Sequence, residues 1–547
     1  MKGLSGLRGL GRPARATLAH WAFAALAGVM QALSLAWPWG GQALGTLQAL
    51  SLVALVGLLH RAPSARRGAW LGAVFALCWL AGTFWWLYIS MAVYGGLEAP
   101  LAVLAVLGLA AFLGSYYALA AGLYVRWHHR LALGPLASAG LFAALWTLAE
   151  LLRGHWFTGF PWGAGGYAQV EGAARWLAPW VGVYGTGALV AAWAAALASW
   201  ARLSWVMRAV LLGLWALLCW VPAPEQPASS ASLEVSLLQG NIPQDEKFQA
   251  GSGVPMALAW YRAQLMANQA SLVVAPETAL PLLPEQLPAG YWDGLLQRYG
   301  VGSQAPPQGG RPQAALIGVP LGNQREGYTN SVLGLMPGET RLYAYDKHHL
   351  VPFGEFIPPM FHWFVALMDM PLGDFNAGAV GQASMPWQGQ RLAPNICYED
   401  LFGEELGLRF RDPARAPTVF VNVSNIGWFG DSVAIDQHLN ISRLRALEFA
   451  RPMVRATNTG ATAIIDHRGR VTAQLPPVSR GVLQGVVQGR GLSADHGGWG
   501  ITPYAWWVSR LGLAPLWLLC LGLVLWARQC ERASHRRTRS KTPSLSR

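Results

Sequence analysis

The chain has 547 residues, of which 53% are hydrophobic and only 12% charged, about half the charged share of an ordinary soluble domain. That composition excludes a protein whose whole surface faces water. The formal net charge of +13 does not mark a nucleic-acid binder, because Lys and Arg flank apolar runs instead of clustering on one folded face.

In chain order, apolar runs near residues 17–37, 43–60, 68–90, 100–125, 131–152, 176–200, 205–222 and 511–527 predict eight helices able to cross a hydrocarbon core of roughly 30 Å. Basic residues between them alternate between rich and poor segments. Lys2, Arg8, Arg12 and Arg15 precede the first run, Arg61, Arg66 and Arg67 follow the second, and Arg126 and Arg130 follow the fourth. The positive-inside rule then places both termini in the cytoplasm, and an odd number of crossings before residue 223 puts the polar region that follows on the outer side. The first run starts basic but exceeds a signal-peptide apolar core, so it reads as an uncleaved anchor. The expected organisation is a helical membrane domain over 1–222, an extracytoplasmic α/β domain over 223–505, a closing span over 506–527 and a basic cytoplasmic tail over 528–547. That tail carries Arg528, Arg532, Arg536, Arg537, Arg539, Lys541 and Arg547, and fits the vicinity of anionic lipid.

Between residues 232 and 487, β-branched apolar runs alternate with longer mixed segments, beginning at residues 233, 271, 314, 329, 391, 417 and 461. This is the pattern of buried strands with intervening helices, an α/β sandwich. Ile435 to Arg451 reads as a helix. Cys78, Cys219 and Cys520 fall in apolar runs and Cys530 in the tail, which leaves Cys397 alone in a domain facing an oxidising compartment, with no partner for a disulfide inside it.

Three runs end in reactive residues, where α/β folds collect functional groups. Glu277 follows Leu272–Val274, Lys347 follows Tyr343–Asp346, and Cys397 follows the strand at 391. Singly, each reads more readily as a solvated or core residue. Together they form a base, a cation and a nucleophile. A thiol attacks a carbonyl only once a base takes its proton or a cation stabilises the thiolate, and the oxyanion that develops needs a positive partner.

These residues lie in motifs, Pro276-Glu277, Tyr345 to Glu355 (YDKHHLVPFGE) and Asn395 to Asp400 (NICYED), that resemble the nitrilase, or carbon–nitrogen hydrolase, superfamily with its αββα sandwich. Within it the whole chain is similar to the apolipoprotein N-acyltransferases. Leu238 to Gln244, Thr158 to Trp162, and Val423-Ser424-Asn425 followed by Gly427 to Gly430 carry that second resemblance. It implies a bacterial inner-membrane enzyme that moves a fatty acyl chain from a phospholipid to the N-terminal amine of a diacylglyceryl-modified apolipoprotein. Glu277, Lys347 and Cys397 would be catalytic, Glu355, Tyr398 and Glu399 supporting, and Trp162, Phe248, Asn425 and Trp428 substrate-binding. Phe248 stands where the family often has Trp, and lacks the indole N–H. No cofactor is implied. A membrane-tethered amidase or nitrilase using water as acceptor, and a non-catalytic envelope-assembly scaffold, are the competing readings.

Weaker signals resolve into structural expectations. His348 and His349 lack the spacing of a metal site and, as neighbours on a strand, should face opposite ways. His438 reads as a helix-surface residue, and the segment 304–312 as a loop. The turn at Gly427 to Gly430 lacks the spacing of a nucleotide loop. Glu150 is a costly intramembrane carboxylate, functional or paired with Arg153. Trp499, Trp506 and Trp507 read as an interfacial aromatic belt.

Overall fold

A computed structural model describes residues 12–218, 220, 227–302, 311–358, 361, 363, 374–491 and 500–540. Trp499 and most of the segment 304–312 lie outside the described residues.

Two six-stranded sheets form the polar half of the chain. The first contains β1 (Ala228–Gln239), β2 (Leu272–Val274), β3 (Ala314–Asn323), β4 (Gly327–Leu335) and β5 (Tyr343–Asp346). The second contains β6 (Met385–Trp387), β7 (Gln390–Ile396), β8 (Val419–Ser424), β9 (Met453–Thr457), β10 (Ala463–Ile465) and β11 (Val471–Gln474). A last strand, β12 (Gly481–Arg490), returns to the first sheet, so the orders are β12-β1-β2-β3-β4-β5 and β11-β10-β9-β8-β7-β6.

The centre of each sheet is parallel. Val235 pairs with Leu272 and Leu272 with Ala314 in one, and Leu392 with Val419 and Phe420 with Met453 in the other. Parallel strands buried on both faces demand near-continuous apolar sequence, and β2, β8 and β9 are buried at every position. Because β4 runs antiparallel to both β3 and β5, the carboxyl ends of β2 and β5 point the same way. That common end receives the candidate site.

Val235, Leu237, Val274, Leu316, Val332, Leu392, Val421, Val423 and Val454 fill the space between the sheets. Each such side chain contributes about 1.5–3 kcal/mol when withdrawn from water. Helices α8 (Gly253–Ala267) and α9 (Tyr291–Arg298) cover the outer face of the first sheet, packing Leu258, Tyr261, Leu265 and Leu295 against Val273, Ile317 and Leu333. The outer face of the second sheet is covered by α10 (Ala434–Phe449). The result is an αββα sandwich.

The helical half comprises α1 (Arg12–Leu33), α2 (Gly45–His60), α3 (Ala65–Phe84), α4 (Ala99–Leu131), α5 (Pro135–His155), α6 (Ala178–Ala198), α7 (Trp205–Leu218), α11 (Pro503–Leu511) and α12 (Ala514–Ser540). Among the described residues, four helical stretches (Ala65–Phe84, Ala99–Leu131, Pro135–Thr158 and Ala173–Ala198) are long and apolar enough to cross a membrane. A fifth counts if the pair Pro503–Leu511 and Ala514–Ala533, bent by 82°, is one span. Of the eight spans expected, the described residues thus give four, or five with the bent pair. The run at 17–37 gives α1, whose 22 residues end at Leu33, ahead of Trp37-Pro38, where proline cannot continue a helix and disfavours the helical conformation before it. The runs at 43–60 and 205–222 yield apolar helices of only 10–17 residues. The last run is broken at Gly512, whose φ of +54° leaves the helical region. Leu104, Leu119, Leu212 and Leu518 point outward, a surface compatible with lipid.

The two halves share one apolar core. It runs from Leu52, Phe75 and Trp79 through Tyr184 to Leu444 and on to Phe420 of β8, so α10 is packed between a sheet on one side and the helical half on the other.

Candidate active site

Glu277 sits three residues beyond β2, held by backbone bonds from Ala275 N–H to Leu316 O (2.8 Å) and from Leu280 N–H to Gly318 O (3.1 Å). Gly318 permits this turn. A Cβ there would lie 2.1 Å from Pro276 O and 2.8 Å from Glu277 Cα, contacts that backbone can relieve only by moving. Gly318→Ala is therefore expected to displace Glu277 and lower turnover on the order of 10²-fold, the cost of a misplacement near 1 Å. Normal turnover in steady-state assays of that variant would disprove the placement argument.

Two carboxylates and an ammonium meet at this end of the sheet. Lys347 Nζ lies 3.3 Å from Glu277 Oε1 and 2.8 Å from Glu355 Oε1. The Asn330 amide nitrogen donates to both of those oxygens, at 2.8 and 2.7 Å. Glu277 Oε2 accepts the Asn425 N–H at 2.9 Å, and Glu355 Oε2 accepts the Val351 N–H at 2.8 Å. All four carboxylate oxygens thus have donors, the condition under which buried charge is tolerated. Burial works against the Lys347 charge, but Glu355 and Glu277 outweigh it and hold the ammonium pKa above its ordinary value.

Cys397 is the first residue after β7. Its φ of +52° is a left-handed conformation that costs a non-glycine residue roughly 1–2 kcal/mol. The strain turns the chain sharply into a short 3₁₀ segment, Cys397–Leu401. Cys397 as a residue is partly exposed but its sulfur is enclosed, beside the buried Glu277, Lys347 and Glu355. Burial of the sulfur pushes its pKa up and the Glu277 carboxylate pushes it further, with Lys347 pulling the other way. The net direction is upward, so the resting group is a thiol.

Glu399 is fully buried and accepts from Ile396 N–H (2.6 Å), Tyr345 O–H (2.7 Å) and His348 N–H (2.6 Å), with His348 Nδ1 at 2.7 Å. It ties the residue before the cysteine to the strand end that carries Lys347. His348 is raised to about 9, burial opposing its charge but Glu399 prevailing. Tyr398 donates its hydroxyl to Gly159 O at 2.9 Å and stacks near Phe160, which joins the cysteine loop to the loop after α5. The φ values of Phe157, Thr158 and Gly159 in that loop are all positive.

The structure brings Glu277, Lys347, Cys397, Glu355 and Asn425 into one cluster, with Tyr398 and Glu399 directly behind it. The remaining expected residues lie around it or apart from it. Trp428 meets Tyr94 edge-on at 5.9 Å. Phe248 is 44% exposed, on the segment that brings Lys247 to Glu277. Trp162 is buried and spends its indole N–H on Gln437 Oε1 at 2.8 Å, packing against His438 behind the cysteine loop.

Two structural expectations, for the histidine pair and for His438, are corrected. His348 and His349 do not face opposite ways: past β5 the chain leaves the ladder, and both imidazoles bond the Glu405 carboxylate at 3.0 Å. His438 is not on a surface; it is completely buried and bonds Asp400 Oδ1 at 3.0 Å. Glu150 accepts from Gly165 N–H (2.8 Å), while Arg153 is held by Tyr117 Oη (3.0 Å) and the carbonyls of Phe160 (2.9 Å) and Trp162 (2.6 Å). Trp507 donates to Trp180 O at 2.9 Å.

Sequence reasoning missed Asn330 and Lys247. Lys247 is buried, donates to Glu277 O (3.1 Å) and Thr278 Oγ1 (2.6 Å), and is lowered to about 8 by burial, against the pull of Glu277 and Cys397. The signal for Asn330 was an amide at the polar start of a strand that turns apolar from Val332 on. For Lys247 it was a cation four residues beyond the Asn241-Ile242-Pro243 motif.

Comparison with known proteins identifies the family. Residues 27–197 match the apolipoprotein N-acyltransferase N-terminal domain, and residues 234–492 match the carbon–nitrogen hydrolase family. The apolipoprotein N-acyltransferase of Verminephrobacter eiseniae (strain EF01-2) is 58% identical over 534 residues, covering 93% of this chain and 96% of its own. That of Ralstonia nicotianae is 46% identical over 503 residues, covering 90% of each. The solved carbon–nitrogen hydrolase of Helicobacter pylori G27 aligns at 13% identity and a TM-score of 0.32, over 47% of this chain and 88% of its own, too distant to add to the argument. By these identities, sustained over nearly its whole length, the chain belongs to the apolipoprotein N-acyltransferase family.

Proposed function

We propose that the protein transfers a fatty acyl chain from a membrane phospholipid to the N-terminal α-amine of the diacylglyceryl-modified cysteine of an apolipoprotein, through a thioester on Cys397. The observation that carries this reading is the meeting of the Cys397 thiol with the Glu277–Lys347–Glu355 cluster, on a domain whose apolar core is continuous with the helical half.

In the first half-reaction Cys397 Sγ attacks the phospholipid ester carbonyl while Glu277 takes the thiol proton. The resulting oxyanion is stabilised by the Lys347 ammonium. Collapse breaks the ester C–O bond, and Glu277 returns the proton to the departing lysophospholipid oxygen. In the second, the α-amine attacks the thioester, Glu277 takes an amine proton, and the thiolate leaves and recovers it. Glu355 keeps Lys347 charged and in place, and Tyr398 and Glu399 hold the loop on either side. Asn425, Trp428 and Phe248 border the approach for the lipid chains.

Membrane residence follows from the substrates. Lifting an acyl chain out of the bilayer costs about 0.8 kcal/mol per CH₂, so a site served by helices 1–222 and a closing helix, with domain 223–505 on the outer, periplasmic side and both termini inside, reaches donor and acceptor where they lie. Helices α1, α2 and α7 complete an eight-span arrangement in this proposal.

Intact-protein mass spectrometry tests it. Full-length protein incubated with phospholipid and no acceptor should gain the mass of one acyl chain at Cys397, released by hydroxylamine and discharged by a diacylglyceryl-modified peptide. Absence of any adduct overturns the proposal. Discharge by water as fast as by the peptide would favour a membrane-tethered amidase instead.

A further inference from the structure

Behind Cys397 lies a second buried polar group that the reaction described above does not use. His438, on α10, places Nε2 at 3.2 Å from the Cys397 carbonyl oxygen and 3.0 Å from Asp400 Oδ1, while Arg455, on β9, places a guanidinium nitrogen 2.7 Å from His438 Nδ1. All three side chains of this group (Asp400, His438, Arg455) are fully buried. Trp162, from the loop after α5, stacks on the imidazole with ring centroids 5.4 Å apart.

The chemistry of these groups fixes the tautomer. A guanidinium only donates hydrogen bonds, so Nδ1 facing Arg455 must be the bare, accepting nitrogen and the ring proton must sit on Nε2. That N–H is shared between the Asp400 carboxylate and the Cys397 carbonyl. Burial and the Arg455 charge hold the imidazole pKa below its ordinary value, so the ring stays neutral in this form. The Cys397 carbonyl belongs to the one peptide in this loop whose residue is forced to φ +52°, a conformation that persists only where its surroundings determine it.

We infer that His438 is a positioning residue: its Nε2–H, its tautomer locked by Arg455, pins the Cys397 carbonyl and so holds the strained backbone that aims the thiol at the Glu277–Lys347 cluster. Asp400 orients the same N–H from the other side, and Ser442 and Arg455 in turn hold Asp400 Oδ2. Because Trp162 closes the ring's face, the outer loop of the helical half bears on the aim of the nucleophile through a single imidazole. This inference rests on the reading of Cys397 as the nucleophile.

Two amide substitutions separate positioning from packing. In His438→Gln the side-chain amide nitrogen is as many bonds from Cα as the imidazole Nε2, so it can still donate to the Cys397 carbonyl. In His438→Asn the amide reaches only as far as Nδ1 and can meet Arg455 but not the cysteine. With the full-length chain in phospholipid micelles, kcat for thioester formation should stay within about 10-fold of wild type for His438→Gln. It should fall on the order of 10²-fold for His438→Asn, with KM for phospholipid unchanged in both. Equal losses in the two variants, or no loss in either, overturn the inference. Alkylation of Cys397 by iodoacetamide should follow the same contrast without any lipid donor; a wild type that alkylates but forms no thioester counts against the acyl-transfer reading alone. If neither variant folds, ¹⁵N-histidine NMR of the wild type decides: a histidine with bare Nδ1 and protonated Nε2 throughout about pH 5 to 8 is expected, and its absence overturns the tautomer assignment.

Discussion

Cys397→Ala is expected to abolish acyl transfer while leaving the fold intact. On the proposed reading every covalent step passes through the sulfur, so the loss should be on the order of 10⁴-fold or more, the range reached when a nucleophile is removed from a triad-type centre. The fold should survive because alanine keeps the Cβ that already tolerates φ +52°, and the side chain contributes only a partly exposed edge to the inter-sheet core. Melting temperature should equal that of wild type or exceed it slightly, since an active site gives up stability to hold a reactive arrangement. Cys397→Ser is the more demanding variant. Burial and Glu277 already push the thiol pKa up, so a carboxylate base takes the proton only as attack proceeds. A hydroxyl is a far weaker acid than a thiol, and the same base is badly matched to it. Serine should therefore fail nearly as completely as alanine. Measured lysophospholipid release close to wild type from Cys397→Ala would mean a different nucleophile or a non-catalytic role.

The parts of this centre that were legible in the sequence are those fixed by local pattern. Buried apolar runs announce β2 and β7, a short aromatic run announces β5, and the reactive residues stand close after them, so Glu277, Lys347 and Cys397 could be picked out without knowing how the strands pair. What could not be read is what the fold brings in from a distance. Asn330 joins Glu277 to Glu355 only because β4 lies between β3 and β5. His438 was expected on a surface because an ordinary helix keeps one face in water. Packed between the second sheet and the helical half, α10 buries nearly its whole length, and no periodicity in its own sequence reports a partner on the far side. The same limit applies to the spans: hydropathy measures how apolar a run is, but not where a helix within it begins or ends, as at Leu33 or Gly512.

The last expectation concerns the charge balance that keeps Glu277 usable as a base. Lys347→Met keeps the length and apolar bulk of the lysine stem and removes the ammonium between Glu277 Oε1 and Glu355 Oε1. Two buried carboxylates sharing one Asn330 amide cannot both stay ionised without a cation between them, and the pair takes up a proton with a raised pKa. Turnover should fall on the order of 10³-fold, combining lost oxyanion stabilisation with a partly protonated base. Stability should change in a pH-dependent way. In wild type the Lys347 pKa is raised, so its contribution is present throughout the acid and neutral range and is lost only at strongly alkaline pH. In the variant the carboxyl pair is the shifted group. With a folded pKa above the unfolded value, its neutral form favours folding at low pH and that contribution drains away as pH rises through the raised value. Unfolding free energy should be close to wild type near pH 5 and lower by about 3–5 kcal/mol near pH 8, the usual cost of stranding a buried charge. Adding Glu355→Gln to Lys347→Met removes the second charge and should restore most of the stability at pH 8 without restoring turnover, a non-additive pair in a double-mutant cycle. If thermal melts of Lys347→Met run parallel to wild type across that pH range, the three groups do not share their charge in the way the geometry implies.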